Sequence, residues 1–261
     1  MALELACEDI GNGPPVVILH GLFGSSKNWR SVARALATGY RVLCVDLRNH
    51  GASPWADGMA YTDMASDVRA LITAKRLESP LLVGHSMGGK TAMVLALEDG
   101  AALGGLVVVD IAPVAYGDRM TSYVAAMNGL DTAAVSTRSQ AQRMMLQVLP
   151  DAGDVAFLLQ NLVPRNEHFE WRLNLAAIGA AIPELSSFPA HLGNARFRGP
   201  TTLIRGTRSD YVTPPDLPHF AAMFPALQDC PIDGAGHWVH ADRPAEFVAA
   251  VQRAAGAAAG R

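Results

Sequence analysis

The feature that most constrains this 261-residue chain is a repeated alternation. Short, uninterrupted apolar runs are separated by segments of helix length: VVIL at 16–19, RVLCVDL at 41–47, PLLVG at 80–84, LVVVD at 106–110 and TTLIRG at 201–206. A strand exposed on one face alternates apolar and polar residues, whereas continuous apolar runs belong to strands covered on both faces, as in parallel sheets. Helical candidates at 28–37, 62–77 and 89–98 supply the covering layers. In the second of these, Met64, Val68, Leu71 and Ile72 fall at helical spacing, with Asp63, Asp67 and Arg69 read as facing outward. The alternation predicts an α/β fold with a mostly parallel, doubly wound sheet.

The pattern stops near Val114 and resumes near Pro200. In between, no strand is expected, and amphipathic segments at 120–130, 138–149, 155–162 and 170–182 read as helices bounded by Pro150, Pro164 and Pro183. The expected organisation is one discontinuous core domain, 1–113 and 200–261, with a helical cap inserted at 114–199. A helix near 215–223, a short apolar run around 227–232 and a last helix at 244–255 complete the core. The tail GAAAGR reads as frayed, and residues 2–7 are a further strand candidate near the start.

The charge pattern excludes several function classes. The formal charge of −3 contains no basic block, which argues against a nucleic-acid partner, since phosphate binding needs clustered Lys and Arg. Cys7, Cys44 and Cys230 are odd in number, far apart and without CxxC spacing, so neither a disulfide framework nor a metal site is indicated, and a reducing compartment is the simpler reading. The start shows no basic and apolar leader, and no stretch reaches the length of a membrane span. A cytoplasmic protein without membrane insertion is expected.

The stretch GHSMGGKT, 84–91, satisfies two motifs at once. As GxSxG it frames Ser86 as a nucleophile on a strand-to-helix turn; as GxxxxGK[ST] it is a phosphate-cradling loop with Lys90 and Thr91. Locally the two fit equally well, and LVVVD even matches the apolar run plus Asp that holds magnesium in nucleotide hydrolases. The rest of the chain separates them. A serine nucleophile needs a base, an acid that orients the base, and donors for an oxyanion. His237, in GAGHWVH between the last apolar run and the last helix, can be carried over the C-terminal edge of the sheet, where ligands of such sheets bind. HGLFG at 20–24 follows the first core strand, and its small residues let backbone N–H groups approach the site. Leu22 is the expected donor there, with Phe23 the alternate and Met87 the second donor. A phosphate loop has no use for either segment, and it would ordinarily follow the first core strand.

HGLFGSSKNW, DLRNHGASP, LVGHSMGGK, VVDIAPVAY and GAGHWVHA together resemble the α/β-hydrolases, over essentially the whole chain. Within that family they look like the branch of YbfF-type bacterial esterases and abhydrolase domain-containing protein 11. The resemblance implies the α/β-hydrolase fold, a helical cap, and hydrolysis of carboxylic esters, or of acyl-CoA thioesters, through an acyl-enzyme on Ser86 without a cofactor. A small-molecule ester or thioester is then the expected partner. Lactonases, perhydrolases and carbon–carbon bond hydrolases share the same residues and stay open. From other classes, nucleotide binding through Gly84 to Thr91 and a non-catalytic binding protein are the rivals.

The acid has two candidates. Most family members carry it in the loop after the strand that follows the cap, which points to Asp210; aligning on Tyr211 and Val212, however, puts Ser209 at that position. The branch it resembles takes the acid from VVDIAP, which is Asp110 here, and Asp110 is preferred. His85 and His20 are read as structural, and His240 as the approach to the last helix. Asp46, Arg48, His50 and Ser53 are read as holding their loop by hydrogen bonds. Lys90 and Thr91, without a phosphate, become ordinary first-turn residues. Leu22, Phe23, Met87, Tyr116 and Trp238 are pocket candidates because each neighbours a site residue. Trp171, in the family-like WRLNL, is a further candidate for which packing is the simpler role.

Overall fold

The computed structural model describes residues 2–118, 120–166 and 168–259. In chain order the elements are β1 (Cys7–Ile10), β2 (Pro15–Leu19), α1 (Arg30–Leu36), β3 (Arg41–Val45), α2 (Tyr61–Ala74), β4 (Leu81–His85), α3 (Met87–Asp99) and β5 (Gly105–Val109). An excursion follows, with α4 (Thr121–Gly129), α5 (Arg138–Met145), α6 (Ala152–Leu158), β6 (Leu162–Arg165), β7 (His168–Trp171) and α7 (Leu175–Leu185). The chain then returns through β8 (Thr201–Gly206), α8 (Leu217–Met223), β9 (Leu227–Ile232), α9 (Val239–Asp242) and α10 (Pro244–Ala259).

Among the described residues a seven-stranded sheet runs in the order β1-β3-β2-β4-β5-β8-β9, parallel throughout except for β1 against β3. Successive residues of a strand point to opposite faces, and the continuous apolar runs use both. Val17, Leu19, Leu43, Val45, Leu82, Leu106 and Val108 pack with Met64, Val68 and Met93 of α2 and α3. Val16, Ile18, Val42, Cys44, Val83, Val107 and Val109 pack on the other face with Val32, Leu36, Phe247 and Val251 of α1 and α10. Burial on both faces explains why these strands carry no polar alternation. Strand order reverses between β2 and β4, so their C-terminal ends open a crevice at the switch point, where open α/β sheets bind ligands.

Five local expectations are corrected. The first strand is Cys7–Ile10, not residues 2–7; it pairs antiparallel with β3, and Glu8 and Asp9 on it reach Arg30 and Arg41. The excursion is not purely helical, because β6 and β7 form a hairpin. Four-residue strands turning at Asn166, at φ 53, are too short for periodicity to reveal, and Pro164 is tolerated because each strand of a two-stranded ribbon is an edge. Pro183 lies inside α7 and does not bound it, while α10 runs on to Ala259 through most of the tail read as frayed. Gly260 and Arg261 lie outside the described residues. Asp67, read as outward-facing, is fully buried and takes two hydrogen bonds from Arg48 at 2.7 and 2.9 Å. A buried carboxylate is retained where a guanidinium matches it bidentately.

Candidate active site

Ser86 stands between β4 and α3 with φ 51 and ψ −118, a conformation L-residues rarely occupy. The turn forces main chains together. A Cβ on Gly84 would lie 2.2 Å from the Gly88 carbonyl oxygen, and one on Gly88 would lie 2.6 Å from the carbonyl oxygens of Leu19 and His20. Glycine at 84 is therefore dictated by how closely α3 folds back on the end of β4, and glycine at 88 by how closely α3 crosses the end of β2. The Ser86 N–H is anchored on the Val109 carbonyl at 3.1 Å.

The loop after β2 is clamped by two histidines. His20 accepts the Leu47 N–H on Nε2 at 3.0 Å, which makes Nδ1 the donor to the Gly21 carbonyl at 2.8 Å. His50 accepts the Phe23 N–H on Nε2 at 3.2 Å and donates from Nδ1 to the Arg48 carbonyl at 2.9 Å. Both rings must be neutral to do this. Burial lowers the His20 pKa and pushes that of His50 down to about 3. Because its N–H is taken by His50, Phe23 is no oxyanion donor, and the alternate assignment falls. The N–H groups of Leu22 and of Met87, the first residue of α3, carry no protein hydrogen bond among the described residues.

Asp46 and Ser53 brace the neighbouring loop. Asp46 accepts from the N–H groups of Ser26 and Ala52, and Ser53 donates to the Asp46 carbonyl.

His237 sits in the loop between β9 and α9. Its Nδ1 lies 2.8 Å from Oδ2 of Asp110, a carboxylate with no exposure to solvent at the end of β5. The backbone of Asp110 is itself left-handed, at φ 50. Its Oδ1 accepts the Gly206 N–H at 3.1 Å, and its Oδ2 also accepts the Ser209 hydroxyl. The carboxylate that meets His237 is thus Asp110, while Asp210 lies in the loop that supplies Ser209. The Tyr211 ring stacks on the His237 imidazole at 3.8 Å and 18°, and His85 Nε2 is 2.9 Å from the His237 carbonyl oxygen. His85 is buried and its pKa is lowered by that burial; it fixes the backbone of the His237 loop. His240 stacks on Trp29 at 4.0 Å and is held near pKa 4 by burial.

A cleft of about 330 Å³ opens over these residues, lined by Leu22, Phe23, Ser86, His237 and Trp238, with Tyr123 and Phe157 contributed by the excursion. A chamber of about 60 Å³ adjoins it at Ser86 and is lined by Met87, Lys90 and Tyr116 among others. Trp171 lines neither; its indole N–H donates to the Met127 carbonyl at 3.0 Å, which corrects its candidacy as a pocket wall.

Lys90 is not an ordinary first-turn residue. Its side chain is buried, and Nζ donates to the carbonyls of Val114 at 2.9 Å and Ser187 at 2.6 Å, with Ser186 at 3.4 Å and the Tyr116 ring 4.8 Å away. Burial pushes its pKa down to about 7, and the surrounding carbonyls accept from the ammonium when it is charged. Val114 stands at the start of the excursion and Ser186 and Ser187 follow its last helix, α7, so one ammonium ties both segments to the helix behind Ser86. With its three donors so occupied, it has none for a phosphate. The roles of Lys90, Ser209 and Tyr211 were missed because their partners lie far away in sequence.

A family model describing the α/β-hydrolase fold matches residues 14–244. The chain belongs to the α/β-hydrolase family. This α/β-hydrolase is 41% identical over 246 residues to the sn-1-specific diacylglycerol lipase ABHD11 of Mus musculus, covering 91% of this chain and 80% of that one. It is 36% identical over 246 residues to esterase YbfF of Escherichia coli, covering 93% of each. Among solved structures, a marine microorganism esterase superposes with a TM-score of 0.93 at 34% identity, over 97% of this chain and 99% of that one.

Proposed function

We propose that this α/β-hydrolase cleaves carboxylic esters, and acyl-CoA thioesters by the same route, through an acyl-enzyme on Ser86. The observation that carries the proposal is the pairing of His237 Nδ1 with buried Asp110 beside the cleft that Ser86 lines. The esterase and lipase names of the relatives support it.

His237, oriented by Asp110 with Nε2 toward the cleft, takes the Ser86 proton as Oγ attacks the carbonyl carbon. The N–H groups of Leu22 and Met87 receive the oxyanion, and one such donor is worth roughly 3 kcal/mol of barrier. The proton passes from His237 to the departing alkoxide. Water then gives a proton to the same histidine, adds to the acyl carbon and displaces Ser86, releasing the acid. The strained backbone of Ser86 holds Oγ in place before substrate arrives. In this reading residues 114–199 act as a cap that shapes the cleft from above, and the protein works in a reducing, cytoplasmic setting. Supporting that setting, Cys7, Cys44 and Cys230 are all free thiols.

The test is hydrolysis of p-nitrophenyl butyrate by the wild type and by Ser86→Ala. We expect the variant to lose at least about a thousandfold in kcat. Undiminished turnover would overturn the proposal.

A further inference from the structure

Two cavities meet at Ser86, and they differ in size and in which catalytic groups they touch. Leu22, Ser86 and Tyr211 line both; His237 and Trp238 line the 330 Å³ cleft and not the chamber, whereas Met87, Ile182 and Leu185 line the 60 Å³ chamber and not the cleft. We infer that the chamber receives the acyl portion of the substrate and the cleft its alcohol, which restricts the acyl group to about four carbons while leaving the alcohol large and variable. The inference rests on the ester-hydrolase reading above.

The directions around an ester carbonyl carbon leave little choice. The leaving oxygen takes its proton from His237, so the alcohol lies on the His237 side, in the cleft. The carbonyl oxygen faces the N–H groups of Leu22 and Met87. The acyl carbon takes the remaining direction, past Met87 into the chamber. Water for the second step then enters the cleft that the alcohol has left, gives one proton to His237 and bonds the acyl carbon as Ser86 Oγ departs and recovers that proton. One ester and one water yield one acid and one alcohol.

The chamber walls fix the chemistry of its occupant. Three of the polar side chains on them are already engaged: Tyr61 donates to the Leu185 carbonyl at 2.7 Å, Tyr116 donates to the Tyr211 carbonyl at 2.6 Å and accepts from Ala112, and Lys90 is held by Val114 and Ser187. A carboxylate at the end of an acyl chain would have to displace one of these bonds to gain a partner from Tyr61, Tyr116 or Lys90, and Met87, Ile111, Ile182 and Leu185 supply apolar wall, so the chamber favours a plain aliphatic group. A methylene is no smaller than a water, so at about 15 Å³ for each group a space of about 60 Å³ holds about four carbons.

The experiment measures kcat/KM for p-nitrophenyl acetate, butyrate, hexanoate, octanoate and decanoate, and for butyrate esters of alcohols of increasing bulk. For the wild type we expect a rise of about fourfold per methylene to butyrate, a fall of at least tenfold by octanoate, and little dependence on alcohol size. Ile182→Ala, which enlarges the chamber, should move the optimum to hexanoate or beyond. Phe157→Ala, which enlarges the cleft, should leave the acyl optimum in place and alter only the alcohol series. Octanoate turned over as well as butyrate by the wild type would overturn the inference, and so would an acyl optimum moved by Phe157→Ala and not by Ile182→Ala. The wild-type series decide the matter even if Ile182→Ala does not fold. No hydrolysis of any ester by the wild type would overturn the ester-hydrolase reading itself, and this assignment with it.

Discussion

His237 Nδ1 lies 2.8 Å from Asp110 Oδ2, across 127 residues of chain, and the same oxygen takes the Ser209 hydroxyl. The carboxylate that meets His237 therefore comes from the end of β5, before the excursion, and the loop after β8 contributes a neutral donor to it. This exchange of positions works because the ends of β5 and β8 are paired neighbours in the sheet, with Val109 opposite Ile204.

Replacing the acid should expose this geometry. Asp110→Asn presents an amide where a carboxylate now accepts the Nδ1 proton, favouring the wrong imidazole tautomer. We expect kcat on p-nitrophenyl butyrate to fall on the order of 10⁴-fold with KM little changed. Asp210→Asn should stay within a few fold of wild type. Comparable losses in the two variants would refute the assignment of the acid.

Ser209 acts through Asp110 and not on substrate, so it is a positioning residue. Ser209→Ala removes one of the three donors that hold the buried carboxylate, an effect of about 1–3 kcal/mol. We expect kcat to fall roughly tenfold to a hundredfold at unchanged KM, with Ser209→Thr recovering most of it. A change confined to KM would contradict the role.

Lys90 is a test of how the excursion is attached. Lys90→Met fills a similar volume but leaves the carbonyls of Val114 and Ser187 without their donor, and we expect a loss of roughly 2–4 kcal/mol in urea unfolding at neutral pH. Increased proteolysis within residues 114–187 should accompany it. Stability equal to wild type would show that the two carbonyls find other partners.

Four buried histidines predict the response to acid. Burial depresses His20, His50, His85 and His240 below the ordinary value of 6.5, with His50 near 3 and His240 near 4. Below pH 6.5 the unfolded chain therefore binds protons that the folded chain refuses, and stability falls as pH falls, until each folded pKa is reached. Each histidine contributes about 1.4 kcal/mol per pH unit in that window. His240→Phe keeps a ring against Trp29 and removes one titration, so its stability between pH 6.5 and pH 4 should fall less steeply than that of wild type by that amount. Identical slopes would exclude the mechanism.

Much of this protein was legible in its sequence, for a local reason. The runs VVIL, LLVG and LVVV report strands buried on both faces because short, β-branched apolar runs that recur between helix-length segments are covered on both sides. Ser86 and its flanking glycines report a strained turn because other residues at 84 and 88 would collide with main chain. His237 was found by its place between the last strand and the last helix.

What the sequence left open required distances between residues far apart in the chain. Asp110 and Asp210 are both aspartates after strands, and only the pairing of β5 with β8 puts the first beneath His237. Phe23 and Leu22 are adjacent, and only the reach of His50 decides which N–H remains available. Lys90 looks like a first-turn lysine until the two ends of the excursion converge on it. The hairpin β6–β7 is local, but its four-residue strands are too short to show a period. Sequence specifies which surfaces must be covered, because hydrophobic burial is local and repeats with the secondary structure. Which polar groups then meet is fixed only when strand order and loop closure bring them within hydrogen-bonding distance.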